Sequence, residues 1–141
     1  MTFVLDNSVT MRWLFRDGSD GDREYADLVL EALCNTNCRV PMPWGLEVAN
    51  VVAQSEARGI LPMLTSTRFL DKLRGLRIEA DSETFQQSFT GTLAVAREYR
   101  LSAYDASYLE LALRLCVPLA TLDLGLRKAA KKAGVELFAL N

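Results

Sequence analysis

Thr2-Phe3-Val4-Leu5-Asp6-Asn7-Ser8 decides the reading of this chain. A short apolar run that ends on an acid reads as a buried strand. Asn7 or Ser8 then caps a helix carrying Val9, Trp13 and Leu14. Outward from there the alternation continues. The turn-rich stretch Asp17-Gly-Ser-Asp-Gly21 precedes a helix over 22–33, with Tyr25, Leu28, Val29, Ala32 and Leu33 at helical spacing. Residues 40–42 read as a second strand. Pro43 suits the first turn of a helix that stops at Gly59. Helices are predicted over 63–73, 81–99 and 102–115, and strands over 77–79 and 118–121. A helix over 124–133 closes at Gly134, and 135–139 reads as a last strand. Apolar strands alternating with helices predict a parallel sheet covered on both faces. Residues 1–141 read as one α/β domain, with no repeat, linker or low-complexity segment.

Composition narrows the function. The chain has 16 Lys plus Arg, 18 Asp plus Glu and no histidine. Without histidine, serine–histidine, cysteine–histidine and histidine-assisted RNA cleavage are excluded, along with most zinc sites. Cys34-Asn-Thr-Asn-Cys38 and Cys116 do not complete a tetrahedral set. Three cysteines point to a reducing cytosol rather than a disulfide framework. The N-terminus has no basic leader, and no apolar run approaches the roughly 20 residues that cross a bilayer, so a cytoplasmic, membrane-free protein is expected.

Any hydrolytic chemistry must then rest on carboxylates, hydroxyls, Lys or Arg, or metal ions. Asp6 ends the first strand and Asp123 follows a late one. Ligands of open α/β sheets bind beyond the strand ends where strand order reverses. Both acids also fit simple helix caps. Glu47 lies at the edge of the stripe Trp44, Val48, Val51 and Val52, about 40° from Val51 at roughly 100° per residue. An ordinary solvated glutamate near a helix start fits it too. Asp105 falls inside an apolar arc with Leu109 and Ala112, where an unpaired carboxylate is costly. Ser102-Ala-Tyr-Asp105 also fits a capping box. If the four acids converge to about 5 Å, each ionised pair repels by about 3 kcal/mol at an effective dielectric near 20. A divalent cation held by oxygen ligands, Mg2+ or Mn2+, is the economical remedy, and it activates water and clamps phosphoryl oxygens.

Four segments carry a family resemblance. They are Phe3-Val-Leu-Asp6-Asn-Ser8, Pro43-Trp-Gly-Leu-Glu47-Val-Ala-Asn50, Leu101-Ser-Ala-Tyr-Asp105-Ala-Ser-Tyr108-Leu and Leu119-Ala-Thr121-Leu-Asp123. With the closing Gly134-Val-Glu-Leu-Phe138, they resemble the PIN-domain ribonucleases, especially VapC-type toxins of toxin–antitoxin pairs. The resemblance implies a Rossmann-like three-layer α/β/α sandwich with a central parallel sheet. It implies Mg2+- or Mn2+-dependent endoribonuclease activity, a homodimer and a cognate VapB-type antitoxin. By motif position, Asp6, Glu47, Asp105 and Asp123 carry over as catalytic and metal-binding acids. Asp6 and Asp105 would be the main ligands, and Glu47 and Asp123 would complete the set directly or through water. Ser8 and Thr121 match supporting hydroxyls. Asn7 stands where Ala or Thr is more usual.

Other features read more plainly. Arg127 and Lys128 could touch an RNA backbone near Asp123, or form a solvated face suited to a helix C-terminus. Met63, Leu64, Phe69, Leu70 and Leu73 form a stripe expected in the core, or at a dimer or antitoxin surface. Trp13 and Trp44 are expected in the core, although Trp44 could stack a base. The competing readings are a metal-dependent phosphatase or nucleotidase, a receiver-like module, and a catalytically silent PIN fold. The phosphatase would need a nucleophilic aspartate with a partner two residues on. The receiver would need paired acids at the first strand and a late lysine.

Overall fold

The computed structural model describes residues 1–140; Asn141, the last residue of the expected 1–141 domain, lies outside them. One sheet is built from β1 (Phe3–Leu5), β2 (Cys38–Val40), β3 (Ile78–Ala80) and β4 (Leu119–Ala120). Every pairing is parallel, in the order β3-β2-β1-β4. Phe3 lies opposite Cys38, and Val4 lies between Arg39 and Leu119.

Side-chain alternation along β1 sets the layers. Val4 points to one face, Phe3 and Leu5 to the other, and all three are fully buried. A strand buried on both sides needs cover on both sides. On the Val4 face pack α6 (Leu93–Tyr99), α7 (Ala103–Leu115) and α8 (Leu124–Ala133), through Val95, Leu109, Leu111 and Leu126. On the opposite face pack α1 (Asn7–Leu14) and α2 (Asp20–Ala32), through Val9, Tyr25 and Val29. Further helices α3 (Pro43–Ala57) and α4 (Met63–Arg74) join α1 through Met11, Val48, Val52, Leu70 and Leu73. This is the expected α/β/α sandwich around a central parallel sheet.

The strand order reverses between β1 and β4. The chain leaves β1 for β2 and β3, then returns to β1's other side. Asp6 sits at this reversal, its N–H bonded to Ala120 O at 2.9 Å. Asp123 follows β4 at the same end of the sheet.

Several expectations change. The 81–99 helix starts later, as α5 (Thr84–Gln87), and passes through a π-helical turn (Ser88–Thr92) into α6. Asp81 is excluded from it because its carboxylate takes Thr84 Oγ1 at 2.8 Å and Arg114 Nη2 at 2.7 Å. The last strand shrinks to one bridge, Leu119 with Leu137, and Ala139 adopts φ +57°. The helix expected from 22 begins at Asp20 because Ser19 Oγ caps it through Asp22 N–H at 3.1 Å. Met63 and Leu64 are exposed, at 73% and 61%, so the stripe joins the core only at Leu70 and Leu73. Trp44 donates its indole N–H to Thr10 Oγ1 and touches all three core clusters, which makes it packing rather than a free base-stacking face. Trp13 is pinned likewise to Ala26 O. Among the described residues no helix is long and apolar enough to cross a membrane.

Candidate active site

Asp6 occupies the N-cap position of α1, but its side chain makes no cap bond. Neither Asn7 nor Ser8 is the cap; both lie inside the helix. Instead Ser8 Oγ donates to Asp6 Oδ2 at 2.6 Å, and Thr121 Oγ1 donates to the same oxygen at 2.7 Å. Each hydroxyl is itself held by a backbone donor. Leu122 N–H bonds Ser8 Oγ at 2.9 Å, and Asp123 N–H bonds Thr121 Oγ1 at 3.1 Å. With both hydroxyl protons committed to Asp6, the 3.3 Å contact between Ser8 and Thr121 is packing. Ser8 and Thr121 therefore orient Asp6 and tie the end of β1 to the segment after β4.

Asp123 is a cap. Its Oδ1 accepts Leu126 N–H at 2.8 Å at the start of α8, while the residue stays exposed. Asp105 makes half of a capping box. Its N–H bonds Ser102 Oγ at 3.1 Å, but among the described residues its carboxylate takes no hydrogen bond in return. Glu47 reaches across from α3, and Tyr108 donates its phenol to Glu47 Oε1 at 2.6 Å.

Asp6, Glu47 and Asp105 are each raised in part by neighbouring acids. Burial pushes Asp6 above its ordinary 3.8; the two hydroxyl donors oppose that, and the charge of Asp123 adds to it. Burial also raises Asp105, with the charges of Asp6 and Asp123 adding. Glu47 is raised by burial first; the Tyr108 bond lowers it, and the charges of Asp6 and Asp105 raise it again. None of the four acids is in an ion pair among the described residues. The structure thus brings together strand ends and helix starts that are far apart in sequence.

The donor chemistry suits a hard cation: carboxylates and hydroxyls, with no histidine in the chain. The acids are not drawn into a closed cage. Among the described residues, no group of three or more Asp, Glu, Cys or His stands ready to hold a metal ion. Glu47 is latched to Tyr108, and one oxygen of Asp123 caps α8. Mg2+ ordinarily takes one or two carboxylates and keeps several waters, which fits a set this open.

The two cations singled out from sequence have different environments. Arg127 is committed to structure: its Nε donates to Thr121 O at 2.7 Å, and its guanidinium lies 4.9 Å from the Tyr25 ring centre. It steadies the segment that holds Thr121. Lys128 is exposed.

Tyr108 is the residue that sequence reasoning missed. In the sequence it stands only as one residue of the Leu101–Leu109 segment, and in the fold it is fully buried. Its spacing of three from Asp105 was the available signal, since that puts both on one side of α7. Asn7 is a second case. Its Oδ1 is buried without a partner, in the residue adjoining Asp6.

The model of the PIN domain matches residues 3–132. A search of curated proteins found no match. All four acids and both supporting hydroxyls fall inside the matched span, and the reversal of the parallel sheet explains why they meet. On that match the chain belongs to the PIN-domain family, in general a metal-dependent nuclease fold.

Proposed function

We propose that this PIN domain is a Mg2+- or Mn2+-dependent endoribonuclease, and that it acts as the cytoplasmic toxin of a type II toxin–antitoxin pair. The observation that carries the nuclease reading is the grouping of Asp6, Glu47, Asp105 and Asp123 at the strand-order reversal, where neighbouring acids raise three of them and none has a cation partner among the described residues. A divalent ion bound there would lower the pKa of a water and offset charge on the phosphodiester. Asp6, oriented by Ser8 and Thr121, and Asp105, free of hydrogen bonds to its carboxylate, are the two acids assigned to hold it. Glu47, aimed by Tyr108, and Asp123 are assigned to orient the attacking water or take its proton.

The phosphatase alternative is weaker. Its partner residue would fall at Ser8, whose proton is already given to Asp6.

Two surfaces support the proposed partners. A cleft of about 560 Å3 includes Trp13, Leu14, Leu30, Phe69, Leu73 and Leu76, with Arg68 and Lys72 among its lining. An amphipathic antitoxin segment with acids beside its apolar face would suit it. Phe85 and Phe89, 65% and 81% exposed, offer apolar surface for the homodimer.

The test is an RNA digest with Mn2+ and with EDTA, repeated with Asp105→Asn. Cleavage should require the ion and vanish in the variant. RNA cutting that persists in EDTA, or in the variant, would refute the reading.

A further inference from the structure

We infer that the groove between α6 and α8 carries the phosphodiester backbone of single-stranded RNA away from the acid cluster, an inference that rests on the nuclease reading above. The groove has a volume of about 590 Å3, and its lining includes Tyr99, Arg100, Leu101, Gly125, Lys128 and Lys132. Glu98 is the acid on its wall. Three cations therefore face one carboxylate, and none of the three is in an ion pair among the described residues.

The groove meets the site along both walls. On α8, Gly125 lines it, and a Cβ built at Gly125 would stand 3.2 Å from Asp123 Oδ1. On the other wall, Leu101 immediately precedes Ser102, the cap beneath Asp105. Lys128 and Lys132 lie one turn apart on one side of α8, about 6 Å along the axis, and lead away from Asp123. A row of unpaired cations starting at a site for phosphodiester cleavage matches a polyanion in charge and direction.

Arg100 strengthens the assignment. It ends α6 at φ +54° and ψ +48°, its N–H bonded to Ala96 O. Glycine is the favoured residue at such a left-handed cap. A side chain kept in a strained conformation is a pointer to use, and here that side chain is a cation in the groove.

The test uses the full chain in EDTA, where a labelled RNA of about a dozen nucleotides is bound but not cut, with anisotropy read across a salt series. Replacing the cations together by Arg100→Gly, Lys128→Gln and Lys132→Gln should flatten the slope of log K against log salt by about 2. Arg100→Gly alone should raise Tm, since it relieves the left-handed strain, yet weaken RNA binding by about three- to tenfold. A purely structural Arg100 would not separate those two readouts. In Mn2+, the triple variant should raise KM more than it lowers kcat. An unchanged slope, wild-type protein that binds no RNA, or polyglutamate binding in place of RNA would overturn the inference, the last by assigning the groove to an acidic protein. Cleavage that continues with unaltered KM in the triple variant sinks the groove and spares the nuclease reading. Groove-dependent RNA binding without any Mn2+-supported cleavage does the reverse.

Discussion

The Tyr108 phenol donates to Glu47 Oε1 at 2.6 Å, joining the buried face of α7 to the helix after β2. Burial and the neighbouring carboxylates push the Tyr108 hydroxyl well above its ordinary range, so it remains a donor at any working pH. The bond also holds Glu47 down against burial and the charges of Asp6 and Asp105. Tyr108→Phe keeps the ring in the core and frees Glu47. The bond to a half-exposed carboxylate is worth about 1 kcal/mol, about fivefold in kcat/KM for Mn2+-dependent RNA cleavage. Glu47, released, should titrate higher, so the acidic limb of the pH–rate profile moves to higher pH. A profile that overlays the wild type would show that the phenol does not position Glu47.

Asp105 is raised by burial and by the charges of Asp6 and Asp123, and it in turn raises Glu47. Asp105→Asn removes that repulsion with little change of shape. In EDTA the variant should unfold at a higher temperature than the wild type. Screening at this half-buried position limits the gain to about 1 kcal/mol, or roughly 4 °C in a chain of this size. Stability gained where cleavage is lost is the signature of a strained functional group. A calorimetric scan giving a lower Tm would mean that Asp105 supports the fold.

Much of this was legible in the sequence, for identifiable reasons. The Phe3–Leu5 run is apolar throughout because both of its faces are covered, and Asp6 ends it abruptly. The Ser102 cap and the Gly134 stop both hold. The late start of the helix expected from 81 was not legible, because its cause is tertiary: Arg114, far along the chain, holds the Asp81 carboxylate. Nor was the fate of Arg127, since Lys128 beside it has the same charge and only the fold separates their surroundings. Ser8 resembled a cap in sequence and serves as a donor to Asp6, because a carboxylate buried to 6% exposure needs donors more than the helix needs a cap.

The absence of histidine makes the pH dependence of stability unusually clean. Asp6, Glu47 and Asp105 titrate above their ordinary values of 3.8 and 4.5 in the folded chain. Between the ordinary and raised values the folded chain holds more protons than the unfolded one, so stability falls as pH rises through that window. Asp81 behaves oppositely. Burial would raise it, but the bonds from Arg114 and Thr84 hold it below 3.8. Its contribution is present above 3.8 and lost as pH falls through the lowered value. In EDTA, Tm should climb as pH drops through the raised values of Asp6, Glu47 and Asp105 toward their ordinary ones, then fall once Asp81 protonates below 3.8. With Mn2+ present the first limb should invert, because protons displace the ion. A Tm that declines steadily on acidification in EDTA would refute the raised carboxyls.

Arg114 clamps the far end of the helix that carries Asp105. Its guanidinium meets Asp81 at 2.7 Å, Glu110 at 2.9 Å and Glu83 at 3.3 Å. The Asp81 and Glu110 side chains keep only 2% and 7% of their surface exposed. Arg114→Met would strand both carboxylates without a cation, at a cost of about 3–5 kcal/mol. Arg114→Lys keeps the charge but not the fork that spans Asp81 and Glu110, so its loss should fall between wild type and Met. Denaturant titration would order the three proteins. Equal midpoints for Met and wild type would show that the clamp contributes nothing. A lysine variant as weak as the methionine one would locate the stabilisation in the fork rather than the charge.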